Sequence, residues 1–234
     1  MSTLFPKDFW ARCPFAGILF DMDGTLVNTE NDTDEAIREA MEKKGVENGF
    51  LSPALTRGCS WRDICVDLCE KYPNTWTPKE LRAELVEIWT RRVSLHVEPL
   101  TGAIEMLEAA SQHFPIAVVS SSPHALIDQL LDACGASAFV PLLHRVGADD
   151  VKDAKPAPEC FLKGAEILGV PPEQCVVFED STAGLRAARS AGMASVAILE
   201  ACSQPEECSA LASATLDSYP ELTKDFWLRL RQPS

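Results

Sequence analysis

The chain has 234 residues, 46% of them hydrophobic, enough for one large domain or for a domain carrying a smaller insertion. Its formal net charge of -14 argues against nucleic acid or an anionic membrane as partner, because both need a basic face to offset their phosphates. No apolar run approaches the roughly 20 residues of a membrane span, and Met1 to Gly17 mixes Lys7, Asp8 and Arg12 with aromatics instead of forming a signal-peptide core, so a soluble, cytoplasmic protein is expected; the oligomeric state stays open at this point, with a monomer as the default expectation.

The first element is the apolar run Gly17 to Phe20, read as a buried strand, and it ends in Asp21-Met22-Asp23-Gly24-Thr25. Two carboxylates two positions apart leave an extended backbone on the same side, and Gly24 lets the chain turn away. Taken alone this is a solvated Asp-Gly turn; two like charges so close otherwise need a cation between them. The next strand is far off: about 75 residues precede the helical pattern at Thr101, too many for a loop. Within them Asp32 to Lys44 places Ala36, Ile37, Ala40 and Met41 on one face, and Pro78 to Val93 does the same with Leu81, Leu85, Ile88 and Trp89. A small helical domain, 30–97, is therefore expected as an insertion between core segments 1–29 and 98–234.

Beyond it, helical patterns at Thr101 to Gln112, His124 to Ala133, Pro158 to Leu168 and Thr182 to Ala191 alternate with apolar runs. Those runs are Ile116 to Val119, Phe139 to Leu143, Cys175 to Phe178 and Ser195 to Leu199. The alternation predicts an α/β fold, a parallel sheet with helices on both faces. The segment Ala201 to Ser213 reads as a loop plus a short helix. Nine cysteines, an odd number without a C-x-x-C pair, and four dispersed histidines give little support to zinc or histidine-based chemistry. Cys65 and Cys69, one helical turn apart, read as small core-facing hydrophobes.

In open parallel sheets ligands bind beyond the carboxyl ends of the strands, so the residues there form a set. They are Asp21 and Asp23; Ser120, Ser121 and Ser122; Lys155 in DAKPAPE; and Glu179, Asp180 and Ser181. Singly, the serines before Pro123 are a helix cap, the lysine a solvated loop residue, and the acidic pair a complement to a helix dipole. Together, FDMDGT, VVSSS, AKPAPE and VFEDSTAG resemble the ordered motifs of the haloacid dehalogenase superfamily of phosphoryl-transfer enzymes. The likeness is greatest to the beta-phosphoglucomutase-like branch of phosphatases and mutases, whose helical cap lies between the first motif and the second strand.

That resemblance implies a Rossmann-like core with an inserted α-helical cap and a Mg²⁺-dependent phosphatase of small phosphorylated metabolites, with sugar phosphates the expected class. Asp21 would be the nucleophile and Asp23 the general acid and base. Mg²⁺ would be held by Asp21, the backbone carbonyl of Asp23 and Asp180, with Glu179 as a further or water-mediated ligand. Ser120 and the backbone of Ser121 would bind the transferring phosphoryl group, and Lys155 would offset its charge and that of Asp21. Asp23 points away from dehalogenation, since a halide leaves without a proton.

From the cap, Arg57 or Arg62 would meet an anionic group and Trp61 a sugar or apolar face; a surface arginine and a core tryptophan would look the same. Asn28 and Glu30 are hinge candidates for a closing cap. A mutase of the beta-phosphoglucomutase type is the alternative. However, Trp61, Thr33 and Pro123-His124 stand where that mutase is expected to carry an arginine, a histidine and a lysine-asparagine pair. A non-catalytic phosphate-binding protein is the third reading.

Overall fold

A computed structural model describes residues 5–46, 61–93, 97–222 and 224–232. The chain divides into two compact units, Met1–Asn28 with Glu98–Ser234, and Thr29–Val97. Among the described residues, no helix is long and apolar enough to cross a membrane.

In the first unit the apolar runs become β1 (Gly17–Phe20), β2 (Ile116–Val119), β3 (Arg145–Val146), β4 (Cys175–Glu179), β5 (Ala194–Ile198) and β6 (Ala214–Leu216). All pair in parallel, in the order β3-β2-β1-β4-β5-β6. Every residue of β1, β2, β4 and β5 is buried, as parallel strands covered on both faces require. The chain steps outward from β1 to β3, then returns to β4 on the other side of β1. This Rossmann-like order places a topological switch between β1 and β4, with a crevice at their carboxyl ends.

The helices close both faces. Under one, Phe161 and Ala165 of the helix Glu159–Leu168 and Ala187 and Ala188 of the helix Thr182–Ser190 join Leu19, Val119 and Val177 in one cluster. On the other face Phe20 stacks on Phe178, centroids 5.0 Å apart, and Phe178 meets Tyr219 and Trp227. Short helices Lys7–Trp10 and Lys224–Leu230 join through Phe5, Phe9, Trp10 and Phe226, with the Arg229 guanidinium 3.8 Å over the Trp10 ring.

One expected strand is corrected. Phe139 to Leu143 does not pair; tight turns at Ala136–Ala138 and Leu142–His144 flank it, and β3 follows at Arg145–Val146. Pro141 has no N–H for a ladder, and Leu142 and Leu143 are 69% and 83% exposed. The pairing passes instead to Arg145, whose buried guanidinium donates to Asp128 and to the Val140 carbonyl. The fourth strand also runs one residue beyond its apolar run, making Glu179 its last member.

The second unit contains the helices Glu30–Lys43, Trp61–Lys71 and Pro78–Val93, the last packing on both others. Their buried residues include Ala36, Ile37, Ala40 and Met41 from the first and Leu81, Leu85, Ile88 and Trp89 from the third. Thr77 caps the third helix: Glu80 accepts from its N–H and hydroxyl at 2.8 Å each, while the Glu80 N–H donates to Thr77 Oγ1 at 3.3 Å. Cys65 is buried and Cys69 half-buried, as their helical spacing suggested; burial raises the Cys65 thiol to about 11. The first unit's two connections to this insertion run side by side, Asn28 N–H donating to Glu98 and Leu100 N–H to Leu26.

Because Phe161 is fully buried in the core cluster beneath the sheet, Phe161→Ala is expected to cost about 3–5 kcal/mol of stability in urea unfolding.

Candidate active site

The site begins where β1 stops. The Asp21 N–H still donates to the Phe178 carbonyl, 2.9 Å, so the sheet fixes the Asp21 backbone just past β1's last residue. The chain then turns on the Met22 carbonyl, which accepts from Thr25, Leu26 and Val27. Gly24 has φ +84°, and a Cβ there would lie 2.2 Å from Asp180 Oδ2, so only glycine lets this loop and that carboxylate meet. Thr25 Oγ1 donates to Asp180 Oδ1 at 3.1 Å, and Tyr219, after β6, donates from its hydroxyl to the Thr25 carbonyl at 2.9 Å. The turn and the end of β4 are thereby tied together from the far edge of the sheet.

Lys155 is the central cation. Its buried ammonium pairs with Asp21, with Glu179 Oε1 at 2.8 Å and with the Val119 carbonyl at 3.3 Å, and lies 4.9 Å from the Phe161 ring centroid. The other Glu179 oxygen accepts from the N–H and hydroxyl of Ser181, at 2.6 and 2.9 Å. Ser181 in turn caps the helix Thr182–Ser190, its Oγ accepting from the Gly184 N–H. A Cβ at Gly184 would fall 1.7 Å from Glu179 Oε1, so the glycine is the seat of this carboxylate.

Asp21, Glu179 and Asp180 are buried and offer oxygens within 4.8 Å of one another. Three carboxylates face one ammonium, leaving two negative charges uncompensated out of water. The consequence is visible in their affinity for protons: burial, reinforced by Glu179 and Asp23 and opposed by Lys155, pushes the Asp21 carboxyl up to about 8. Burial, with Glu179 and Asp21, also holds Asp180 well above the usual carboxylate range. For Lys155, burial alone would favour the neutral amine, but Asp21 and Glu179 outweigh it and keep the ammonium charged. Such a site favours a proton or a small hard cation, and its donors are the oxygens that Mg²⁺ prefers.

Asp23 is half-buried, with the hydroxyls of Ser120 and Ser122 each 3.4 Å from its Oδ2. Ser120 Oγ also accepts from the Ser122 N–H, while Ser121 is exposed. A cavity of about 100 Å³ is lined by Ser120, Ser121, Lys152, Lys155 and Cys160, among others. A larger groove of about 440 Å³ lies against the helix Glu159–Leu168, but Asp150, Asp153, Glu159 and Glu166 there outnumber Lys163, which makes it a poor place for an anion.

The structure thus brings Asp21, Asp23, Ser120, Lys155, Glu179 and Asp180 to one sheet edge. The expected substrate residues in 30–97 fare differently: Arg57 lies outside the described residues, Arg62 is exposed, and half-buried Trp61 meets Trp89 edge-on at 5.9 Å. Sequence reading gave no role to Ser122, Thr25, Gly184 or Tyr219. The first three lie within the motifs and could have been weighed there, whereas no local signal connects Tyr219 to residues almost two hundred positions earlier.

A buried acidic cluster with one lysine stands at the switch point of a doubly wound sheet, and comparison with known proteins gives its class. Residues 18–198 match the family model described as haloacid dehalogenase-like hydrolase. The chain is 36% identical over 183 residues to a fructose-1-phosphate phosphatase of Escherichia coli (strain K12), covering 78% of this chain and 95% of that one. It is 30% identical over 210 residues to a validoxylamine A 7'-phosphate phosphatase of Streptomyces hygroscopicus subsp. limoneus, with 89% and 95% covered. A family IA, variant 3 hydrolase structure from Entamoeba histolytica superposes with a TM-score of 0.80 at 21% identity over 92% of this chain and 98% of that one, a likeness of fold. The chain belongs to the haloacid dehalogenase-like hydrolases, and its enzyme class is that of the phosphoric monoester hydrolases.

Two outcomes are expected. Gly184→Ala displaces Glu179 from Lys155 and should lower stability by about 3–5 kcal/mol, the cost of breaking a buried pair, read by urea unfolding. In metal-free protein the raised Asp21 carboxyl contributes stability that is complete below its unfolded value of 3.8 and lost as pH rises through about 8. Melting temperature in chelator should therefore fall over that range, and fall less in Asp21→Asn.

Proposed function

We propose that the protein is a Mg²⁺-dependent phosphatase of small phosphomonoesters, sugar phosphates among them, working through an aspartyl phosphate on Asp21. The observation that carries this reading is the buried trio Asp21, Glu179 and Asp180, whose oxygens lie within 4.8 Å of one another, with the Lys155 ammonium paired to the first two. Mg²⁺ would be held by Asp21, Asp180 and the backbone carbonyl of Asp23, with Glu179 close by and already accepting from Lys155 and Ser181. When bound, it would supply the positive charge that the carboxylates and a phosphoryl group together require.

Lys155 holds one Asp21 oxygen, leaving the other to attack phosphorus. As the P–O bond to the leaving group breaks, Asp23 gives that oxygen a proton, its carboxyl positioned by the Ser120 and Ser122 hydroxyls. The transferring group would accept from Ser120 Oγ, the Ser121 N–H and Lys155. Asp23 then takes a proton from water, which attacks the aspartyl phosphate, releases inorganic phosphate and restores Asp21. The helical unit, 29–97, would serve as the cap that supplies substrate contacts and excludes water during the first step.

Hydrolysis rather than mutase chemistry is favoured because a mutase must hold a second phosphate. His124, where a lysine-asparagine pair would be expected to follow the second motif, is instead engaged with Asp150 at 2.5 Å. The two relatives above, both named as phosphatases, point the same way. No nucleic acid or membrane enters this reading, and we place the enzyme in the cytoplasm as a monomer.

The test is phosphate release from a panel including fructose 1-phosphate and beta-glucose 1-phosphate, with and without Mg²⁺, with glucose 6-phosphate assayed in parallel. Metal-dependent release is expected, lost by at least about 10³-fold in Asp21→Asn with its circular dichroism unchanged. Glucose 6-phosphate formed without release would make the enzyme a mutase, and undiminished turnover in Asp21→Asn would remove Asp21 as nucleophile.

A further inference from the structure

Behind the carboxylate cluster lies a pair of thiols that the mechanism does not use. Cys208 is fully buried on the helix Pro205–Leu211, and its Sγ donates to the backbone carbonyl of Asp180 at 3.2 Å. Cys202, half-buried in the turn after β5, donates from its Sγ to Cys208 Sγ at 3.0 Å. Both are reduced. Leu185, Ala197, Leu199, Leu211 and Ala212 enclose the pair, so Cys202 is the sulfur within reach of a small solute.

We propose that Cys202 and Cys208 are a modification site, a dithiol that hydrogen peroxide converts to an intrachain disulfide, withdrawing the hydrogen bond that Cys208 gives to Asp180. The sulfurs need to approach by only about 1 Å to reach bonding distance. Cys202, as thiolate, attacks one peroxide oxygen; the O–O bond breaks, and the released hydroxide becomes water with the proton Cys202 gave up. The resulting sulfenic acid is attacked by the Cys208 sulfur; the S–S bond forms, the S–O bond breaks, and hydroxide leaves as water with the Cys208 proton. Two thiols lose two electrons, and one peroxide becomes two waters.

The consequence rests on the reading of Asp180 as a metal-holding residue. A disulfide sulfur has no hydrogen to donate, so the Asp180 carbonyl loses its partner in Cys208 at the residue whose carboxylate faces Asp21 and Thr25. Gln204, between the two cysteines, lies 3.3 Å from the Thr182 hydroxyl and carries any shift of the turn to the loop after Asp180. Weaker Mg²⁺ binding follows, by about three- to tenfold, the range that one hydrogen bond spans.

The experiment treats the full chain with hydrogen peroxide, maps its peptides by mass spectrometry, and titrates Mg²⁺ calorimetrically before oxidation, after it, and after dithiothreitol. A loss of about 2 Da in a peptide joining Cys202 to Cys208, with weakened and thiol-reversible Mg²⁺ binding, is expected. Cys202→Ser should keep the reduced protein's affinity and activity and abolish both changes. Cys202 recovered only as sulfinic or sulfonic acid, or a cross-link that leaves the titration unchanged, overturns the proposal. Failure of the phosphatase reading is distinguishable, because the cross-link and the Mg²⁺ titration are read without substrate.

Discussion

The contact on which the site depends is the buried ammonium of Lys155 lying between Asp21 and Glu179. Burying any one of these charges alone would be prohibitive, and burying all three together is tolerable because the ammonium meets both carboxylates and Glu179 accepts from further donors. Glu179 has Ser181 and Asp180 has Thr25, but Asp21 has only the lysine as a side-chain donor among the described residues. That asymmetry matters chemically. A carboxylate tied down on one oxygen and poorly satisfied on the other is a better nucleophile than one saturated with hydrogen bonds, and its elevated proton affinity expresses the same deficit.

The arrangement requires very close approaches, and the backbone makes room for them. Two glycines remove the atoms that would stand in the way: Gly24 beside Asp180 and Gly184 beside Glu179. Consecutive acidic residues at the end of β4 therefore serve different neighbours. Glu179 reaches Lys155 and the helix that begins at Thr182, while Asp180 reaches the turn after β1. Tyr219 then closes the arrangement from β6, the last strand in sequence and the outermost on that side of the sheet. Burial, with Asp180 and Asp21 adding to it, keeps its hydroxyl protonated, and so a donor to Thr25.

Much of this was legible in the sequence, for reasons that can be named. The residues that end β1, β2 and β4 follow apolar runs dense enough to fix each strand to within a residue, so Asp21, Ser120 and Asp180 could be placed at one edge before any contact was known. The third strand misled because an apolar run containing Pro141 looks like a core strand until the missing N–H is counted. β6 escaped because three residues carry too little periodicity to be seen. Tyr219 was invisible for a different reason, since long-range hydrogen bonds leave no local pattern. The role of Glu179 was only half legible: its acidity suggested a metal, but its engagement by Lys155 and Ser181 depends on the helix cap and on the space at Gly184.

The charge of the whole molecule says little about what this edge binds. A chain at -14 would repel a phosphomonoester at long range, yet in the proposed reaction Lys155, a cation held among the carboxylates and the dipoles of Ser120 and Ser121 would reverse the field over a few ångströms. Those groups address only the phosphoryl end, which every phosphomonoester shares. They make the reaction possible and cannot make it selective. Selectivity requires contacts to the alcohol that leaves, and the carboxyl edge of the sheet offers few side chains besides those already committed to the phosphoryl group. Discrimination between one phosphomonoester and another would on this reading reside outside the four motifs, which fits relatives that carry the names of different phosphatases.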